Sequence, residues 1–235
     1  MNRGEARTRT RLYLNERTAA QWSDAELDDL LLDAENEVFE EIVFVRPDIF
    51  TKVKRFNLAA NAFSVDLSTQ TDTGGVALGE YWKILGLFVV PENSAAGRTN
   101  MPRPFYPAQS LVDLYKEPRS SNYDVKGSDE QWLEHGGSLY VNPVSSTARY
   151  LWIHLLPRLN VTSADGNVLL SVDAGSSSPI VQAHDLIPMM AAIKALSSVK
   201  DQPGVLATTY SMRRKALLNL LQSSTNAMEP RRVGR

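Results

Sequence analysis

The chain has 235 residues, of which 43% are hydrophobic and 22% charged, a composition typical of a soluble globular protein with a sizeable core. It contains no cysteine, which excludes disulfides and thiol-based chemistry. The formal net charge of -2 argues against a general nucleic-acid binder, whose affinity comes from Lys and Arg on phosphate. No apolar run reaches the roughly 20 residues that span a bilayer, and the opening segment has no signal-peptide pattern. We therefore expect no membrane partner and synthesis in the cytoplasm.

Charge is distributed unevenly along the chain. Arginines cluster at both ends, whereas the acids are concentrated in residues 24–41. The basic residues of the two clusters are Arg3, Arg7, Arg9, Arg11, Arg231, Arg232 and Arg235. Opposite signs on one chain favour contacts between copies or with a partner, but solvated faces would show the same pattern. The sequence leaves both interpretations open.

Residues 21–50 carry a complete helix signal. Ser23 is a good N-cap, and Glu26 three positions later completes a capping box. Apolar residues at three- and four-residue spacing follow, and Pro47 ends the helix at the residue before it. Ahead of this helix, residues 5–15 are predicted to form a short Arg-rich helix. The acids of the long helix fall mostly off the apolar stripe, and they define a candidate acidic face of Asp28, Asp29, Asp33, Glu37, Glu40 and Glu41.

The middle of the chain has the patterns of strands. Strands are predicted at 50–58, 62–67, 81–90, 131–143, 148–159 and 167–172, with glycine turns such as Gly136-Gly137 between them. Residues 68–79 and 91–108 are predicted to be loops and 109–116 a short helix or strand, and residues 117–130 are again polar. Loops of such length in a compact domain are usually functional or disordered.

Two further helices are predicted near the end of the chain. Asp185 is the expected cap of the first, with Pro188 in its first turn, where a missing N–H costs nothing. A turn at 201–204 leads to the second, which continues to Leu221, and the pair is expected to form an antiparallel hairpin.

The order of elements predicts an α+β fold. The long N-terminal helix and the C-terminal hairpin are expected to form a helical layer, and the middle an antiparallel β module with long loops. The predicted divisions are 1–47 for the N-terminal helices, 48–180 for the β module, 181–223 for the hairpin and 224–235 for a flexible basic tail.

No pattern of catalytic or metal-binding residues stands out. His135, His154 and His184 have no second histidine at metal-ligand spacing, and the glycines at 74–79 lack the Lys and Ser/Thr of a phosphate loop. The sequence predicts no enzyme activity, no cofactor and no metal. His184 is expected to be an ordinary structural residue beside the cap, His154 a half-exposed or core residue, and His135 a turn residue.

Three segments together resemble the head-to-tail connector (adaptor) proteins of tailed bacteriophages. The first is RLYLNE at 11–16, then QWSDAEL at 21–27 and the long helix to Arg46-Pro47. The second is Gln131-Trp132 followed by GSLYVNP at 137–143. The third is the closing helical pair, from DLIP at 185–188 to Leu221. These segments cover about half of the chain.

The resemblance implies a structural virion protein in the phage neck. Such a protein forms a ring of about twelve copies between the portal at the capsid vertex and a tail or nozzle protein, around a channel for genomic DNA that it does not read. The C-terminal tail would dock on the portal, with Met228, Arg231, Arg232 and Arg235 as candidate contacts. The acidic face would line the channel or contact a neighbouring subunit.

Two alternatives from other classes remain open. The first is an enzyme or small-ligand-binding module with its site in the loops at 68–79 and 91–108. The second is a DNA-binding protein that uses the arginine-rich termini, for which binding would depend steeply on salt.

Overall fold

The chain folds into two compact units in the computed structural model, which describes residues 1–16, 21–71, 81–90, 103–111, 114, 131–142, 148–159, 164–172, 178–199 and 202–226. The helical unit comprises Met1–Phe50 and Leu159–Arg235, and the sheet unit is Thr51–Arg158. The predicted α+β class is confirmed. The sheet unit ends at Arg158, whereas the sequence placed the end of the β module at residue 180.

The helical unit contains four α-helices in the described part of the chain. They are α1 (Arg3–Tyr13), α2 (Asp24–Val45), α3 (Leu186–Ser198) and α4 (Gly204–Asn226), with single 3-10 turns at Pro47–Ile49 and Val181–Ala183. Helix α3 contacts α1, α2 and α4. The core between the helices is apolar and includes the fully buried Leu27, Leu31, Ala34, Ile187, Ala191, Ala192 and Ala195.

Both N-terminal helices begin with a capping box. The Ser23 hydroxyl accepts from the Glu26 N–H, while the Glu26 carboxylate accepts from the Ser23 N–H, as predicted. Asn2 and Glu5 form the same reciprocal pair at the start of α1. Helix α2 ends at Val45, directly before Arg46-Pro47, because the proline ring disfavours helical geometry in the residue that precedes it.

The predicted cap of α3 is wrong. Asp185 precedes the helix, but its side chain accepts no capping hydrogen bond. Its carboxylate instead pairs with Arg9 of α1 and lies 3.8 Å from Arg213 of α4. Charge pairing with two arginines far away in the sequence replaces the local backbone contact. Pro188 lies in the first turn of α3, as expected.

The strand predicted at 167–172 is also wrong. Val168 makes only an isolated antiparallel bridge with Asn2, and the chain turns at Leu170, whose φ is 56°. The Arg3 N–H donates to the Asn167 carbonyl at 2.9 Å. This apolar segment therefore finds its partner in the first residues of the chain, within the helical unit, rather than in a sheet.

Seven strands form the sheet of the described chain. They are β1 (Lys52–Leu58), β2 (Ser64–Asp66), β3 (Tyr81–Val90), β4 (Arg103–Pro107), β5 (Gln131–His135), β6 (Ser138–Asn142) and β7 (Arg149–Pro157), in the order β1-β7-β3-β4-β5-β6-β2. Gly136 and Gly137, with φ of 59° and 77°, form the predicted turn between β5 and β6, because glycine adopts positive φ without steric cost.

The sheet is mixed, which corrects the prediction of an antiparallel module. Strands β4 and β5 pair in parallel, whereas the other neighbours are antiparallel. A parallel pair needs a crossover of a dozen residues or more, and residues 108–130 supply one. Strand β4 also lies inside 91–108, so the prediction of a loop is wrong for residues 103–107.

One face of the sheet forms the core of the sheet unit. Register places Leu151 opposite Phe56 and Val89, and Ile153 opposite Leu87, so that these side chains share a face. All of them are at least nine-tenths buried. The core continues through Phe105, Trp132, Leu139 and Val141 to the far strands.

Candidate functional site

The candidate acidic face of α2 is largely paired within the chain. Arg7 of α1 binds Asp28 with two hydrogen bonds, Nε to Oδ1 at 3.0 Å and Nη2 to Oδ2 at 2.7 Å. Both side chains are half-buried, and the hydrogen bond to Asp28 raises the pKa of Arg7. A bidentate pair of this kind fixes the position of one helix against another.

Helices α3 and α4 neutralise three more of these acids. Lys194 of α3 pairs with Glu37 and lies 3.6 Å from Asp33. Arg214 of α4 donates from Nε to the Glu41 carboxylate at 2.6 Å. These three carboxylates therefore stabilise the packing of α2 inside one copy of the chain.

Asp29 and Glu40 are the remaining members of the face. Both are exposed on α2, and neither has an ion-pair partner in the described part of the chain. The sequence identified the six acids but could not separate these two from the four that are paired, because every cation involved belongs to another helix.

The arginines near the N-terminus are paired in the same way. Arg9 pairs with Asp185, and Arg11 pairs with Asp24 at 2.6 Å. Arg7 also reaches Asp165 at 2.8 Å. The opposite charges noted in the sequence thus meet within one chain, which leaves little of this cluster free for DNA phosphates.

A buried ion pair joins α1 to α2. Arg3 and Glu35 are each 1% exposed, with Nη2 2.5 Å from Oε2. The other carboxylate oxygen of Glu35 accepts from the Leu170 N–H at 2.7 Å. Burial raises the pKa of Glu35, and the Leu170 N–H and Arg3 act in the opposite direction by stabilising the carboxylate. No local pattern in the sequence indicates this pair.

His184 is the most buried histidine of the chain. Its Nδ1 lies 2.8 Å from the backbone nitrogen of Met1. Burial lowers the pKa of His184 to about 4, and the positive charge of the Met1 amino group adds a smaller effect in the same direction. His154 is half-buried beside Phe88, and His135 is exposed at the end of β5. The position of His154 agrees with the one expected for it, whereas His135 is the last residue of β5 and directly precedes the turn in which it was expected.

Large apolar side chains are exposed on the outer faces of the helical unit. Phe44, near the end of α2, is 91% exposed. On α4, Val205, Met212 and Leu220 are 82%, 69% and 56% exposed. The three residues of α4 lie on one side of that helix, and an apolar surface of this kind marks a site of interaction.

These residues were not among the predicted site residues, because they lie off the apolar spacing by which the two helices were recognised. The sequence did contain one sign of the exposed residues, which is a second line of regularly spaced apolar residues on α4. Leu217 and Leu221 are buried, whereas Val205, Met212 and Leu220 follow a different line along the same helix.

The sheet unit carries an aromatic outer face. Arg55 lies 4.7 Å from the ring centre of Trp152, and Phe88 packs 4.8 Å from His154. Register places these four side chains on one face, opposite the core. Tyr150, on the same strand as Trp152, and Tyr106 of β4 are also exposed.

Several predicted sites lie outside the described residues. They include the portal-docking candidates Met228, Arg231, Arg232 and Arg235 and most of the loops at 68–79 and 91–108. In the described ranges, no group of three or more His, Asp or Glu side chains is arranged to hold a metal ion. None of the described helices combines the length and apolarity needed to cross a bilayer.

Comparison with protein-family models and with curated proteins gives no match.

Proposed function

We propose that this chain is a structural protein of the tailed-phage neck, a subunit of the head-to-tail connector ring between portal and tail. It acts by assembly and not by catalysis, and genomic DNA passes through the ring without sequence recognition. The portal and a tail or nozzle protein are its partners, and the virion neck is its site. The proposal starts from the resemblance of residues 11–47, 131–143 and 185–221.

The observation that carries the proposal is the outer surface of the helical unit. Phe44, Val205 and Met212 are each more than two-thirds exposed, on helices that bury other apolar residues in the core. Keeping such side chains in water forgoes about 1.5–3 kcal/mol each relative to burial. A helical unit that is to be covered by other subunits accounts for this pattern, and the packing of α1 to α4 in one helical layer is part of the proposal.

The internal pairing of charges supports the same role. Four of the six acids of the face stabilise helix packing, so that α2 serves as a framework element. Asp29 and Glu40 remain available for contacts with another molecule.

The test is electron microscopy of the full chain mixed with its cognate portal protein. We expect rings of one defined order seated on the portal. Protein that stays monomeric and does not bind the portal would overturn the proposal.

The C-terminal tail provides a second test. Deletion of residues 225–235 should weaken portal binding at least tenfold while hydrogen exchange of α1 and α2 stays unchanged. Equal binding by the truncated chain would remove the docking role of the tail but leave the ring intact.

A further inference from the structure

The outward faces of α2 and α4 have complementary chemistry. The α2 outward stripe consists of Asp29, Asp33, Glu40 and Phe44, which repeat at four- and seven-residue spacing and so lie along one side of the helix. It is acidic, with one fully projecting aromatic ring near its end. The buried residues of α2, such as Leu31 and Val38, lie on the opposite side.

The α4 outward stripe consists of Val205, Met212, Ala216 and Leu220, again at seven- and four-residue spacing. All four are exposed. Arg213 and Lys215 flank this apolar stripe on its two sides. Lys215 has no ion-pair partner in the described part of the chain. Arg213 is about half exposed, and its guanidinium lies 3.8 Å from the carboxylate of Asp185. The stripe is therefore apolar with positive margins.

Neither stripe is suited to pair with its own copy. Two α2 outward stripes would bring Asp29 and Glu40 of one copy against the same acids of another, and two α4 stripes would bring cations together. An α2 stripe against an α4 stripe instead pairs acids with Lys215 and Arg213 and covers Phe44. Both stripes span fifteen residue steps, about 22 Å at 1.5 Å per residue, so their lengths match.

We infer that the α2 outward stripe of one copy packs on the α4 outward stripe of the next. Because the two surfaces differ, the contact is heterologous: each copy uses both faces, and repetition closes a ring or continues as a filament. This inference rests on the proposed function and adds to it the surfaces that join the subunits. It also assigns Asp29 and Glu40 to the subunit contact rather than to the channel.

Cysteine cross-linking tests the contact directly, since the chain contains no cysteine of its own. The full chain with Glu40→Cys and Lys215→Cys is treated with a short bismaleimide and separated under denaturing conditions. A heterologous contact predicts a ladder that continues through trimers and larger species. Each single variant should stop at dimers, as should the sheet-unit control Lys83→Cys.

Variants with reversed charges provide a second test of the contact. Glu40→Lys alone and Lys215→Glu alone should each raise the protein concentration needed for assembly at least tenfold, measured by sedimentation. The double variant should assemble again, and so should an equal mixture of the two single variants, because each then offers its partner opposite charges. Phe44→Asp and Met212→Asp should also block assembly, whereas Leu12→Asp, at an exposed position of α1, should not.

The outcomes separate the two proposals. A ladder beyond dimers with restoration by the double variant supports the contact. Rings on the portal without a ladder would overturn this contact and leave the proposed function in place. The absence of both rings and ladder would overturn both.

Discussion

In the helical unit, ion pairs join elements that are far apart in the sequence, whereas the strands of the sheet unit share a continuous apolar core. Arg9 and Asp185 are 176 positions apart, and Arg214 and Glu41 are 173 apart. The sheet unit instead buries Phe56, Leu87 and Leu151 on one face of its strands. Both units are packed, but different interactions determine their geometry.

The difference lies in how specific each interaction is. Apolar burial is non-directional and accepts other side chains of similar volume. A charged pair needs a particular partner at a particular place, and a buried one destabilises the fold when a single partner is lost. The helical unit should therefore respond to single charge changes and to pH, and the sheet unit to changes of volume.

The largest expected effect comes from the buried pair of the helical unit. Glu35→Gln leaves the Arg3 guanidinium buried without its counter-charge, which should lower the free energy of unfolding by about 3–5 kcal/mol. Hydrogen exchange of α1 and α2 measures this loss. A change below about 1 kcal/mol would show that the pair does not stabilise the unit.

The double variant Arg3→Met with Glu35→Gln is the matched control. It removes both charges while the introduced amide can still accept from the Leu170 N–H, so most of the stability should return. Glu40→Gln, at an exposed position of the same helix, should leave hydrogen exchange unchanged.

A volume change should have the next largest effect, in the sheet unit. Leu151 is fully buried, and Leu151→Ala should cost about 2–5 kcal/mol through lost burial and the remaining cavity. Denaturant unfolding followed by tryptophan fluorescence detects it, since Trp82, Trp132 and Trp152 all lie in this unit. The exposed neighbour Tyr150, changed to Ala, should alter the midpoint far less; equal effects would contradict an apolar origin.

Acid should lower the stability of the helical unit through His184, and this distinguishes it from the sheet unit. Its folded pKa of about 4 lies below the ordinary value of 6.5, so the neutral form stabilises the helical unit at high pH. That stability is present above pH 6.5 and is lost as the pH falls toward 4. Between pH 7.5 and pH 5 we expect the free energy of unfolding to drop by about 2 kcal/mol.

Urea unfolding of the wild type, of His184→Gln and of the exposed control His135→Gln at both pH values measures this contribution. Only His184→Gln should flatten the pH dependence. Parallel curves for all three proteins would place the acid sensitivity elsewhere.

The smallest effect concerns an exposed pair. Lys194→Gln removes the contacts with Glu37 and Asp33, whose carboxylates are largely in solvent, and should cost about 0.2–1 kcal/mol. Because 1 M salt screens exposed charges, the difference from wild type should vanish there, while that of Glu35→Gln should persist. Thermal unfolding at low and high salt compares them, and a salt-independent loss for Lys194→Gln would contradict this assignment.

Local signals in the sequence predicted much of the fold. The Ser23-Glu26 capping box, Pro47 after α2 and the glycine pair at 136–137 act within a few residues, and the structure follows them. The parallel pairing of β4 with β5 depends on a crossover whose path no local pattern determines.

The ion pairs of the candidate site could not be predicted from the sequence, because their partners are far apart along the chain. Nothing near Asp185 or Glu35 in the sequence indicates that arginines of α1 will bind them. The six acids of α2 could be identified as a face, but the separation of Asp29 and Glu40 from the others requires the cations of three other helices to be in place. Exposed Phe44 lies off the apolar stripe of α2, and a single apolar residue in that place gives no local sign of a contact site.

The helical unit is built from two stretches of the chain with the sheet unit between them, and this sets an order for folding during synthesis. Helices α1 and α2 are made first, but α3, whose Lys194 and neighbouring residues pack on them, begins only at Leu186, after the entire sheet unit. At translation rates of about 5–20 residues per second, that interval lasts roughly 7–27 s. A nascent chain therefore exposes Leu27, Leu31 and Val38 for seconds while the sheet unit can already fold.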